Sequence, residues 1–184
     1  MKTYIILLRG INVGGNNKVP MKELKTCLEE LGFSDVQTYI ASGNVILKSK
    51  KSAKEVQMML EKMLPQKFKL NGNLFRVLAL TTKQLKTIID NKPPRFGEQP
   101  GTYHSDVIFL IGISAKKAIS VFSPREGVDT IWQGIGAIYS QRLSSKRTQS
   151  RLNKVMGVPE YKSMTIRNWN TATRLLSMLE EQKK

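Results

Sequence analysis

The run Tyr4-Ile5-Ile6-Leu7-Leu8 has no charged or amide side chain on either face of a strand. On an extended chain successive side chains point to opposite sides, so such a run has to be covered on both. It reads as an inner strand, and the rest of the chain must supply the cover. After it comes a glycine- and asparagine-rich loop to Lys18. Val19 and Pro20 then lead into Met21 to Leu31, where Leu24, Cys27, Leu28 and Leu31 make one apolar stripe and Gly32 supplies a helix stop.

Val36 to Ile40 and Val45 to Leu47, separated by Ala41-Ser42-Gly43-Asn44, predict two strands joined as a hairpin. Ser52 with Glu55 is a capping box ahead of Val56, Met59, Leu60, Met63 and Leu64, and Pro65 is expected to end that helix. After the turn Asn71-Gly72-Asn73, Leu74 to Leu80 reads as a strand. Strand, helix, strand, strand, helix, strand is the order of a split βαβ, ferredoxin-like unit.

Thr82 to Asp90 predicts a further helix, and Asn91 to Gly101, with three prolines and two glycines, marks a boundary between halves. Beyond it, Asp106 to Ile111 reads as a strand and Ser114 to Val121 as a short helix. Thr130 to Trp132 and Ile135 to Tyr139, broken at Gly134, read as a pair of strands, and Gln149 to Met156 as helical. From Thr165 to Leu179, Ile166, Trp169, Leu176 and Leu179 share one face of a final helix, which Lys183 and Lys184 leave into solvent. No short repeat and no low-complexity tract is visible.

The fold class expected is therefore α+β. A ferredoxin-like βαββαβ N-terminal half covers residues 1–80, and a second, smaller α+β subdomain ending in an amphipathic helix covers 81–184. The two halves could also pack as one unit. A chain of 184 residues that is 40% hydrophobic can bury a core of this kind.

No apolar run approaches the roughly 20 residues of a membrane helix. The apolar start is too short and too near Met1 for a signal peptide, so a cytoplasmic protein without a membrane partner is expected. The single cysteine, Cys27, lies in the first helix's apolar stripe and reads as a buried hydrophobe rather than a reactive thiol. With 30 Lys and Arg against 14 Asp and Glu, the net charge of +16 attracts polyanions and anionic small molecules, although many basic proteins use such an excess only for solubility.

The loop Arg9-Gly10-Ile11-Asn12-Val13-Gly14-Gly15-Asn16-Asn17-Lys18 joins a buried strand to a helix. Glycines there let backbone N–H groups approach a ligand, and Arg9 and Lys18 add charge at its ends, a setting that suits a phosphate or carboxylate. The spacing is neither G-x-x-x-x-G-K-[ST] nor G-x-G-x-x-G, so neither ATP nor dinucleotide binding follows. The same residues also suit an ordinary turn with positive φ angles. Tyr39 to Asn44 offers the Ser42 hydroxyl and the Asn44 amide, which matter only if this turn meets the first loop. Thr165-Ile166-Arg167-Asn168-Trp169-Asn170-Thr171 places Arg167 and two asparagines around a tryptophan, fitting an anion site or a capped helix end.

Between Ser144 and Lys154, a helix would bring Arg147, Arg151 and Lys154 to one face, suited to a phosphate backbone or simply to solvent. His104-Ser105-Asp106 makes a poor catalytic relay, because on a strand Ser105 points away from the other two. One His and one Cys cannot form an ordinary zinc site, and the sparse carboxylates argue against a dedicated magnesium site. No metal and no cofactor is expected, and no catalytic residue is named. An RNA-recognition sheet is disfavoured by the 7% aromatic content and by a third strand without aromatics.

Leu8 to Gly15, Tyr39 to Val45 and Thr165 to Thr171 resemble signatures of the bacterial family catalogued as domain of unknown function 1697, and Ser150-Arg151-Leu152 with Lys154 resembles its basic stretch before the last helix. Ala41 stands where that family frequently has a small polar residue. The resemblance spans nearly the whole chain and implies a two-part α+β fold with a ferredoxin-like flavour. It implies no activity.

The functional expectation is capture of a phosphate-bearing molecule, either a nucleotide-like metabolite or nucleic acid. Arg9, Asn12, Gly14, Gly15, Lys18, Ser42 and Asn44 would form the site, Arg167 would add a contact, and Arg147, Arg151 and Lys154 would serve nucleic acid. An enzyme acting on a phosphorylated small molecule through the same loops, and a protein-interaction scaffold, are the alternatives.

Overall fold

The computed structural model describes residues 1–181, so Lys183 and Lys184 lie outside the described residues. The chain divides into two compact units, Met1–Leu85 with the residues from Met178 onward, and Lys86–Ser177.

In the first unit, β1 (Lys2–Arg9), α1 (Met21–Glu30), β2 (Ser34–Tyr39), β3 (Asn44–Ser49), α2 (Ala53–Phe68) and β4 (Arg76–Thr81) follow in sequence. The strands form one antiparallel sheet in the order β2-β3-β1-β4, which is the ferredoxin-like arrangement expected. Tyr4, Ile6 and Leu8 meet Leu24, Cys27 and Leu28 of α1 and Val56, Leu60 and Leu64 of α2. Ile5 and Leu7, on the opposite face of β1, are equally buried. Burial pushes the Cys27 thiol pKa up, away from the reactive thiolate.

The capping box forms as expected, with Ser52 accepting from the Glu55 amide and Glu55 accepting from the Ser52 amide. Pro65 does not end α2, which runs on to Phe68. A proline removes one amide bond and crowds the preceding turn. Here Leu64 is buried and Phe68 packs against the same core, which holds the last turn in place.

α3 (Thr82–Asp90) leads into the second unit, where β5 (Tyr103–Leu110), α4 (Ala115–Ile119), β6 (Asp129–Gln133), β7 (Ala137–Leu143), β8 (Met164–Asn168) and α5 (Trp169–Glu181) follow. The sheet order is β6-β7-β5-β8, again antiparallel throughout. Strand for strand this repeats the plan of the first unit, a repetition that no short sequence repeat announces. The loop before β5 is anchored: Phe96 sits edge-on to Trp132, Tyr139 and Trp169 at centroid distances of 5.9, 5.3 and 5.2 Å. The Tyr139 hydroxyl donates to the Ile88 carbonyl at 2.5 Å, and burial raises its pKa to about 12.

Two expectations need correction in this unit. Thr165 to Asn168 is strand, not helix, because β5 takes it as its edge partner, from Leu110 opposite Met164 to Asp106 opposite Asn168. The helix starts at Trp169, and the Asn170 amide donates to the Asn168 side chain at 3.0 Å. Gln149 to Met156 is not one helix either. Three 3₁₀ segments, Ser144–Gln149, Leu152–Gly157 and Pro159–Ser163, stand where α2 stands in the first unit. Ser150 between the first two is extended, and the Arg151 amide donates to the Asp129 carboxylate at 2.8 Å instead of continuing a helical ladder. Arg147, Arg151 and Lys154 therefore do not share one helical face.

Among the described residues no helix is long and apolar enough to cross a membrane.

Burial works to raise the Asp129 pKa, but hydrogen bonds from Ser150 and from the Arg125 and Arg151 amides outweigh it and hold the pKa below the usual value. A carboxylate with a lowered folded-state pKa stabilises the fold above its unfolded pKa and loses that contribution as pH falls through the folded value. Asp129→Ala should therefore lower the unfolding free energy from a denaturant titration at neutral pH by about 2 kcal/mol for two orphaned amides. The gap to wild type should narrow as pH falls below the ordinary carboxylate pKa of about 4 and close only at lower pH, where the folded carboxylate protonates.

Candidate functional site

The order β2-β3-β1-β4 brings three connections to one end of the first sheet: the loop after β1, the β2–β3 turn and the α2–β4 turn. β1 closes with Arg9, whose Nη1 donates to the Leu74 carbonyl at 2.7 Å. Gly10 follows at φ +78°, with the Leu74 carbonyl so close that a Cβ would collide with it. The chain then folds into a miniature hairpin. The Asn12 amide donates to the Asn17 carbonyl and the Asn16 amide to the Val13 carbonyl, both at 3.0 Å. Gly14 and Gly15 turn the corner with φ of 57° and 79°, as a two-residue primed turn requires.

Asn12 clamps this hairpin in place. Its Nδ2 donates to the carbonyls of Val19 at 3.0 Å and Ala41 at 2.8 Å, and its Oδ1 accepts from the Val19 amide at 2.8 Å. Asn17 does the same toward the third connection, donating to the Gly10 carbonyl at 2.7 Å and accepting from the Asn71 amide at 2.8 Å. The β2–β3 turn is pinned by a bond from the Leu8 amide to the Gly43 carbonyl at 2.8 Å. A Cβ on Gly43 would come within 2.8 Å of both Leu8 and Ile11, so only glycine fits. Asn44, fully buried, donates to the Tyr39 carbonyl at 3.0 Å and to the Ser42 hydroxyl at 2.9 Å.

Seven of the candidate residues thus belong to one stitched end: Arg9, Asn12, Gly14, Gly15, Lys18, Ser42 and Asn44. The first loop and the β2–β3 turn do meet. Asn12 and Asn44 commit their amides to backbone carbonyls and neighbours, while Gly14, Gly15, Lys18 and Ser42 are exposed. The sequence holds no Asp or Glu from Met1 to Lys22, from Val36 to Lys54, or from Lys62 to Ile89, so all three connections are free of carboxylates. Val13, Ile40 and Leu74, one on each, are 67%, 50% and 44% exposed.

Arg167 belongs to the second unit. It is buried on β8, donates to the Thr165 hydroxyl at 2.9 Å and the Ile166 carbonyl at 2.8 Å, and burial lowers its pKa to about 10. Arg147, Arg151 and Lys154 are exposed along the 3₁₀ segments of that unit. The sequence reading missed the third connection, taking Asn71-Gly72-Asn73 for a plain turn. Its signal was the strand order itself, which sets the start of β4 beside the end of β1.

Residues 1–139 match the family model described as "Protein of unknown function (DUF1697)". The chain belongs to the DUF1697 family. The match takes in the loop after β1 and the β2–β3 turn, whereas Thr165 to Thr171 and Ser150 to Lys154 lie past it. Among solved structures the chain is similar to the conserved bacterial protein SP0830 from Streptococcus pneumoniae, at 26% identity and a TM-score of 0.82, covering 97% of this chain and 98% of that one. No curated protein is significantly similar to it in sequence.

For this DUF1697 chain the clamp makes a sharp stability prediction. Asn12→Asp keeps the acceptor for Val19 but sets a carboxylate against two carbonyls. It should lower the unfolding free energy by about 2–3 kcal/mol in a denaturant titration and speed exchange of the Val19 amide. An unchanged midpoint would mean that Asn12 does not hold the connections together.

Proposed function

We propose that the stitched end of the first unit binds a phosphate-bearing ligand, a nucleotide-like metabolite or a nucleic acid. One observation carries the reading: three connections free of carboxylates are tied into a single rim that exposes Lys18, Ser42 and the Gly14-Gly15 backbone. Backbone amides of a glycine turn and a nearby ammonium are the donors an anion uses. Arg9 adds a positive charge whose position is fixed by Leu74, and Asn12 and Asn44 shape the rim rather than touch the ligand. The net charge of +16 concentrates anions around it.

A nucleic acid is long enough to use further contacts, and Arg147, Arg151 and Lys154, all exposed, are assigned that role. Arg167 enters the proposal as a further, buried positive charge. We place the protein in the cytoplasm, where its free cysteine is kept reduced. The exposed Val13, Ile40 and Leu74 favour one second reading, docking of another protein on the same rim.

Salt separates the two. Binding of a fluorescent oligonucleotide should weaken steeply with salt, with a log–log slope that drops by about one in Lys18→Ala. A docked protein held by aliphatic contacts would be far less sensitive. If the ligand is a small nucleotide or sugar phosphate, saturation at 100 times its Kd should stabilise the wild type by ~2.7 kcal/mol in a thermal-shift screen. Absence of both responses at low salt sinks the phosphate reading.

A further inference from the structure

His104, the single histidine of the chain, stands at the start of β5 in the second unit. Alternation along the strand puts it on the same face as Asp106, and its Nε2 lies 3.1 Å from Asp106 Oδ1. Ser105 points the other way and accepts from Gln141 Nε2 at 3.1 Å. The second oxygen of Asp106 is held by Arg142 Nη2 at 3.1 Å, and Arg142 in turn donates to Asn153 at 3.2 Å. The carboxylate is therefore fixed at both oxygens. Burial raises the Asp106 pKa, and His104 and Arg142 both work against that rise.

A carboxylate facing Nε2 selects the neutral tautomer with its proton on that nitrogen, which leaves Nδ1 as a bare acceptor. His104 is also partly open to solvent and lines a cleft of about 190 Å³ with Tyr103, Ser105, Asn168, Trp169 and Asn170. Gly97 completes one wall, where any Cβ would run into the Trp169 ring. Asn168 is spent on structure, donating to the Ser105 carbonyl and capping α5, whereas Asn170 stands exposed. No Lys or Arg lines this cleft among the described residues, so a phosphoryl group would find no counter-charge there.

We propose that this cleft is a general-base site for hydrolysis of a small neutral ester, with His104 as the base and Asp106 as the residue that positions it. Water gives its proton to Nδ1 as its oxygen bonds to the acyl carbon. The bond to the alkoxy oxygen then breaks, and the leaving alkoxide takes the proton from the imidazolium. Asn170 is the amide available to the intermediate's oxyanion. The site is separate from the phosphate-binding rim and does not rest on it.

Because the chain has one histidine, its ring resonances and its reactivity can be assigned without ambiguity. Nitrogen-15 correlation spectra of the neutral protein should show the Nε2–H tautomer. With p-nitrophenyl acetate as probe, the wild type should hydrolyse ester on the order of 10²-fold faster than His104→Gln, a partly exposed change that leaves the fold intact. Asp106→Asn should lower kcat with little change in KM. An Nδ1–H tautomer, or a wild-type rate equal to that of His104→Gln or of free imidazole at the same concentration, overturns the proposal. Should Asp106→Asn fail to fold, the tautomer and the His104→Gln comparison still decide.

Discussion

β1 buries Tyr4 to Leu8 on both faces and pairs along both edges, with β3 on one side and β4 on the other. A strand so placed has no freedom to slip, since a shift of one residue would exchange the faces of every side chain around it. Its end is consequently a fixed point, and the connections that converge there inherit that rigidity. Arg9 and Gly10 can meet Leu74, and Leu8 can hold Gly43, only because β4 and β3 start beside the place where β1 stops. The rim is thus a by-product of the inner strand, held by backbone carbonyls rather than by a second core.

The second unit uses the same strand order with a different cover. In the first unit α2 lays Val56, Leu60 and Leu64 across the sheet as one helix. In the second, the equivalent connection is broken into 3₁₀ segments, with Val155 set against Ile108, Ile138 and Met164. Within that connection the Asp129 carboxylate captures the Arg151 amide at 2.8 Å, and a helix cannot give up an interior amide and continue. At the start of β5, His104, Asp106 and Arg142 are joined through the Asp106 carboxylate, and Arg142 reaches on to Asn153 in the second 3₁₀ segment.

How much of this could be read from the residues depends on whether a signal is local. The inner strand, the capping box at Ser52 and the Gly14-Gly15 turn announce themselves within a few positions. Pro65 and Thr165 to Asn168 mislead, because local preference is overruled by what lies across the sheet: Phe68 packing on the core in one case, β5 needing an edge partner in the other. The candidate site splits the same way. That Asn12 belongs to the loop is plain, but nothing near it says that its amide will reach Ala41, since that contact is set by β3 lying beside β1. Arg142 is likewise placed opposite His104 only by the register of β5 with β7.

The two proposed sites also differ in how they meet the charge of the whole chain. A net charge of +16 raises the local concentration of any anion over the entire surface, so it favours encounter without choosing a place. Choice must come from geometry at short range, within the roughly 8 Å over which an exposed charge is felt at physiological salt. The rim offers such geometry, since glycine amides and Lys18 share a surface with no carboxylate in its connections. The His104 cleft does the opposite, because no Lys or Arg among the described residues lines it and Arg142, opposite His104 on β7, is engaged with Asp106 and Asn153. An anion drawn in by the general field finds no partner there, while a neutral molecule loses nothing by entering. On these two proposals, one basic chain keeps a site for anions and a site for uncharged molecules chemically apart.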